Sequence, residues 1–144
     1  MDLLLKWRME VLHEVFSIPA AYDMEELERE NRHYYQSMLE TGGHIACFAY
    51  SGDDIIGCGG MCIYHEMPSP DNPSGKCAYL MNIYTRPQSR RCGAGKMIVG
   101  WLTDQAVRIG ITKIYLETSA AGRVLYEKSG FADMMDMMKY KTED

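Results

Sequence analysis

The residues best placed to do chemistry lie in one short run, Arg90-Arg91-Cys92-Gly93-Ala94-Gly95-Lys96. Its two glycines stand where an apolar strand-like stretch gives way to an amphipathic one, so several backbone N–H groups can converge there without Cβ crowding. Amides at a helix start carry partial positive charge, and Arg90, Arg91 and Lys96 add full charges. The chemistry this suits is holding a phosphate-bearing ligand. Counting excludes two common motifs. A P-loop would need a glycine where Arg90 stands and a hydroxyl where Met97 stands. A dinucleotide fingerprint would need a third glycine at Ile98. What remains is Arg/Gln-x-x-Gly-x-Gly/Ala, carried by Arg90, Gly93 and Gly95.

The elements that must position this loop are read from periodicity. Lys76–Thr85 reads as the strand leading into it, ended by Pro87. Gly95–Ile109 reads as the helix leading out, with Met97, Ile98, Trp101, Leu102 and Ile109 on its buried side and Gly110 as its stop. Upstream, Asp2–Phe16 has helical apolar spacing and is closed by Pro19. Asp23, with Glu26 in a capping box, opens a second helix to about Glu40, and Gly42-Gly43 ends it. His44–Tyr50 and Ile55–His65 are strands about a Ser51–Asp54 turn, and the proline-rich Glu66–Gly75 is a long hairpin connection. Downstream come a strand Thr112–Glu117, a short helix Ala120–Ser129 stopped by Gly130, and a last strand Phe131–Lys141. The order ααβββαβαβ predicts an α/β (α+β) fold: a single domain over residues 1–144, with one mixed sheet and helices on both faces.

Composition narrows the classes. A length of 144 residues with 47% hydrophobic content suits one ordinary globular core. No apolar run approaches the roughly 20 residues of a membrane span, and the N-terminal apolar stretch is too short for a signal peptide. A net charge of −5 argues against nucleic acid as the main partner. Five cysteines, four of them in strand-like runs, fit reduced thiols in a cytoplasmic protein. The four histidines show no metal spacing, and Cys58 and Cys62 lie too far apart along a strand to share a zinc, so no metal is expected.

A second motif, Leu125-Tyr126-Glu127-Lys128-Ser129-Gly130-Phe131, follows the strand and turn Leu116–Ala120. With both segments in this order, the chain resembles the GCN5-related N-acetyltransferase superfamily over nearly its whole length. The resemblance implies a mixed, mostly antiparallel sheet and an acyl transferase using acetyl-CoA. It implies that the backbone of Arg91, Cys92, Gly93, Ala94, Gly95 and Lys96 holds the CoA diphosphate. Ile83, Tyr84 and Thr85 would offer backbone groups to the pantetheine and the thioester carbonyl, and Ser119 would contact the cofactor arm. Tyr126 matches the tyrosine that protonates the departing thiolate, a role open to a phenol of pKa near 10 facing a thiol of pKa roughly 8.5.

Three departures from the family pattern stand out. No strand is read before the first helix. The loop has Arg91 where the family has glycine and Cys92 where it has a basic residue. The strand Ala78–Tyr84 lacks the glutamate that serves many relatives as general base, leaving Glu117, Glu66, His65 or a water chain for that task. Cys92, at a helix start among cations, would have a lowered pKa and oxidise easily, or else be a tolerated small side chain. Tyr34, Tyr35 and Tyr22 are candidates for the wall of an acceptor pocket. Met134-Met135-Asp136-Met137-Met138 reads as core filling or a dimer contact, and a homodimer is an expectation on that ground. The function expected is N-acetyl transfer to a primary amine of a small molecule or peptide by direct attack. The acidic balance points toward cationic amines such as polyamines, aminoglycosides or lysine side chains. The alternative is a CoA-binding regulatory or interaction module that has lost catalysis.

Overall fold

The computed structural model describes residues 1–143. Its elements are helices α1 (Asp2–Val15) and α2 (Glu25–Thr41), strands β1 (His44–Ser51), β2 (Asp54–His65) and β3 (Lys76–Thr85), helix α3 (Ala94–Arg108), strand β4 (Lys113–Leu116) and helix α4 (Arg123–Lys128). Short 3-10 turns at Pro87–Ser89 and Ala120–Gly122 precede α3 and α4. The strands form one sheet in the order β1-β2-β3-β4, antiparallel except for the parallel β3–β4 pair. The expected mixed, mostly antiparallel sheet is therefore present, and no strand precedes α1 in the described residues.

Helices cover both faces. On one, Ile98, Val99, Leu102 and Ala106 of α3 pack onto Met61, Ala78 and Leu80 of β2 and β3. Full burial of side chains such as Val99, Leu102 and Met61 contributes about 1.5–3 kcal/mol each. On the other face, Trp7 and Val11 of α1 pack against Cys58 and Tyr84. Trp7 meets Phe48 and Tyr84 edge-on at 6.0 and 6.4 Å, and the Arg86 guanidinium lies 4.2 Å from its ring. Glu10 holds that guanidinium, accepting from Arg86 Nε at 3.0 Å and Nη2 at 2.8 Å.

Two irregularities shape the second half of β3. Between the pairs Cys58–Tyr84 and Gly60–Met81, β3 carries one residue more than β2, a β-bulge. Asn82 sits in it with φ of 59°, the left-handed region in which asparagine is tolerated better than most residues. The parallel pairing with β4 runs only from Cys77–Lys113 to Leu80–Leu116, so β3 continues from Met81 to Thr85 without a neighbour on that side.

Three sequence expectations are corrected. The last strand, Phe131–Lys141, does not form: no strand follows α4 among the described residues. Its doubled methionines, Met134-Met135 and Met137-Met138, break the two-residue alternation that a half-buried strand needs, and Met135 and Met138 stand exposed instead. Met97 and Trp101 of α3, and Ile109 just past its end, are exposed, because the buried stripe runs through Ala94, Ile98, Val99, Leu102 and Ala106. The short helix begins at Arg123, after a 3-10 turn, rather than at Ala120.

Candidate active site

Arg91 and Gly93 both take positive φ, at 65° and 86°, and this pair of reversals turns the chain from the Pro87–Ser89 turn into α3. Gly93 is the N-cap, and a Cβ there would meet no atom within 4 Å, so the space above the turn is open. The first bond of the helix is Met97 N–H to the Gly93 carbonyl at 3.1 Å, leaving the amides of Ala94, Gly95 and Lys96 without helical partners. Arg91 and Lys96 are exposed beside these amides, whereas Ala94 is buried and anchors the helix start. Arg90 is turned back: its Nε donates to the Thr85 carbonyl at 2.9 Å, and its guanidinium stands 5.8 Å from the Tyr84 ring. The exposed Cys92 thiol donates to the Ser89 carbonyl at 2.7 Å, a local turn contact.

Upstream of the loop, Arg86 N–H donates to the Ile56 carbonyl at 2.9 Å. By strand alternation Tyr84 also turns its backbone groups to β2, and those of Thr85 and Ile83 point to the opposite edge, where β4 has ended. The residues expected to offer backbone groups therefore divide. Ile83 and Thr85 present the open edge, while Tyr84 is spent on pairing and its ring is buried against Trp7.

The second motif packs against the first. A Cβ on Gly95 would lie 3.2 Å from Leu125 Cδ2, so α4 approaches α3 at the start of the loop helix. Next to Leu125, Tyr126 is half-buried and meets Phe131 edge-on at 6.0 Å, and burial pushes its phenol pKa up. Glu117, exposed one residue past β4, and Tyr126 line a common cavity of about 760 Å³ between β4, α4 and the C-terminal segment. Neither the loop nor Ser119 lines it; Ser119 is exposed, and its carbonyl accepts from Gly122 N–H at 3.1 Å. Glu117 also faces Tyr79, whose pKa is pushed up to about 12, first by burial and then by the Glu117 charge. Of the other candidate bases, Glu66 is taken up by Lys113 at 2.8 Å and by Asn72, contacts that lower its pKa, and His65 is exposed at the end of β2.

One cluster was not legible in the sequence. Arg8 donates through Nε to Asn31 Oδ1 and through Nη1 to Asn82 Oδ1, both at 3.0 Å, joining α1, α2 and the β3 bulge. Beside it, the Tyr34 hydroxyl bonds to Nδ1 of the buried His44 at 2.8 Å, and Tyr35 is buried; Tyr22 is exposed. The partners of Arg8 lie 23 and 74 positions away, and no local pattern links them. Among the described residues, no group of three or more His, Cys, Asp or Glu side chains is placed to hold a metal ion, and no helix is long and apolar enough to cross a membrane.

Comparison with known proteins places this geometry. The profile of the acetyltransferase (GNAT) family matches residues 6–131. A ribosomal protein bS18-alanine N-acetyltransferase of Haemophilus influenzae is 39% identical over 59 residues, a stretch covering 40% of either protein. A predicted acetyltransferase of Clostridium acetobutylicum, solved with acetyl-CoA, superposes with a TM-score of 0.84 over 97% of this chain and 88% of that one, at 26% identity. A GCN5-related N-acetyltransferase of Ralstonia eutropha shares the fold with a TM-score of 0.78 over 97% of this chain and 91% of that one, at 21% identity. The chain belongs to the acetyltransferase (GNAT) family, N-acetyltransferases that take their acetyl group from acetyl-CoA.

Proposed function

We propose that this chain transfers acetyl from acetyl-CoA to a primary amine of a small molecule or peptide by direct attack. The observation that carries the reading is a continuous track of unpaired backbone groups. It starts at the amides of Ala94, Gly95 and Lys96 and continues along the open β3 edge at the Thr85 N–H and at Ile83, the Thr85 carbonyl being taken by Arg90. A diphosphate suits the first part, where helix-start amides meet the charges of Arg91 and Lys96. An amide-bearing arm suits the second, because it can pair with the edge as a strand would. The arm ends beside the bulge, where a β3 backbone N–H would polarise the thioester carbonyl as oxyanion charge develops.

In this reading Ser119 contacts the arm from the far side of the cleft, and Tyr126 protonates the leaving thiolate. Glu117, which shares a cavity with Tyr126, takes the proton of the attacking amine directly or through water. Holding both substrates in register supplies much of the acceleration. The test is release of CoA thiol from acetyl-CoA across a panel of primary amines, beside calorimetric titration of the donor. Turnover with at least one amine supports the reading. Tight binding of acetyl-CoA with turnover of none would replace it with a binding module.

A further inference from the structure

The donor track leaves Arg8 unused, on the α1–α2 side of the sheet. Its two amide partners carry no charge, and Arg8 enters no ion pair among the described residues. Arg86, by contrast, is paired through two bonds with Glu10. Arg8 is half-buried, and that burial pulls its guanidinium below its ordinary pKa. No buried side-chain nitrogen lacks a partner among the described residues, and Arg8 Nη2 bonds to none of them, so Nη2 reaches solvent. Its N–H groups point in a fixed direction, because Nε and Nη1 are pinned by Asn31 and Asn82.

The surroundings of this cation are neutral. Tyr34, Tyr35 and Cys58 are its titratable neighbours, and burial, with Arg8 second, holds nearby His44 uncharged down to about pH 4. A lone oriented guanidinium in neutral walls matches a monoanion, and a carboxylate oxygen can accept from its free Nη2. A phosphomonoester dianion would retain uncompensated charge here. The position matters as much as the charge, since Asn82 directly precedes Ile83 to Thr85, the edge that takes the donor arm in the proposed function.

We infer that Arg8 anchors a carboxylate of the acceptor, so that the amine acetylated is an amino acid or a peptide with a free carboxylate near its amine. This rests on the proposed function and sets aside the cationic acceptors that net charge favoured, because net charge averages a whole surface and Arg8 is one oriented group.

The experiment follows thiol release from acetyl-CoA with α-amino acids, β-alanine, γ-aminobutyrate and dipeptides, each beside its carboxamide. Spermidine and an amino-sugar phosphate complete the panel. At least one acid should show kcat/KM about 10- to 100-fold above its carboxamide, the worth of a charge-assisted bond. Arg8→Gln should lower kcat/KM for the acid more than for the amide and close most of that gap; Arg8→Lys should keep part of it. Equal use of acids and amides by the wild type, preference for spermidine or the sugar phosphate, or a gap untouched by both variants would overturn the anchor alone. Acetyl-CoA binding with no amine consumed would overturn the transferase reading and the anchor with it.

Discussion

Gly95 of α3 and Leu125 of α4 approach so closely that a Cβ at position 95 would stand 3.2 Å from Leu125 Cδ2. The glycine of the loop motif thus sets the seat of the helix that carries Tyr126. Gly95→Ala adds one methyl that the flexible end of Leu125 can accommodate, and alanine gains about 1 kcal/mol of helix propensity over glycine. Its stability should stay within about 1 kcal/mol of wild type. Gly95→Val puts two further carbons into the same contact and should cost about 1–3 kcal/mol as overpacking. It should also lower kcat, because α4 must move. Thermal melts beside steady-state rates check both, and a Val variant that melts and turns over like wild type would refute the seat.

Arg91 holds a φ of 65° without being glycine. An L-residue in that region is disfavoured by about 1–2 kcal/mol, against which glycine loses roughly 0.5–1 kcal/mol more conformational entropy on folding. Arg91→Gly should therefore be equal to wild type or up to about 1.5 kcal/mol more stable. Loss of an exposed charge beside the amides of Ala94 to Lys96 should raise the KM for acetyl-CoA severalfold and change kcat less. Denaturant melts and donor titrations read the two effects separately, and a clear loss of stability would show that Arg91 makes contacts worth more than the strain.

Most of the scaffold was legible because its signals are local. The apolar spacing of α1, the punctuation by Gly42-Gly43 and Pro87, and the glycines flanking the loop each act within a few residues. The bulge was not, because an extra residue in β3 exists only relative to its partner β2. Nor was Arg8, whose role depends on Asn82 lying 74 positions away. The expected last strand failed for a different reason. Counting methionines as apolar ignored that Met134-Met135 and Met137-Met138 put neighbours on opposite faces of any strand, so no single face would be covered. The turn from β3 into α3 was legible from Pro87 and the two glycines, but sequence could not tell that Arg90 would fold back onto the Thr85 carbonyl.

His44 is buried under α2, with a pKa pulled down to about 4 by burial first and by Arg8 second. An unfolded histidine titrates near 6.5, so between about pH 6.5 and 4 the unfolded chain binds a proton that the folded chain refuses. Stability from this group is complete above pH 6.5 and falls as pH drops toward 4, by up to a few kcal/mol. Melts of wild type and His44→Gln across pH 4–7 should show a steeper acid loss in the wild type. Parallel curves would mean that His44 does not govern this range.

Tyr126 gives the sharpest test of the chemistry. Removing its hydroxyl in Tyr126→Phe keeps a ring to meet Phe131 edge-on, so folding stability should change by no more than about 1 kcal/mol. If the phenol protonates the leaving thiolate, kcat should fall by about 100-fold, the lower range for a positioned general acid, while acetyl-CoA affinity moves less than threefold. The pH profile adds a second, independent reading. A general acid works in its protonated form, and burial raises the Tyr126 pKa above its ordinary value of about 10. In the wild type kcat should therefore climb as the bound amine loses its proton and show no alkaline fall below about pH 10. A fall near pH 8–9 would assign the acid to another group, and a kcat unchanged in Tyr126→Phe would leave the hydroxyl with a packing role only.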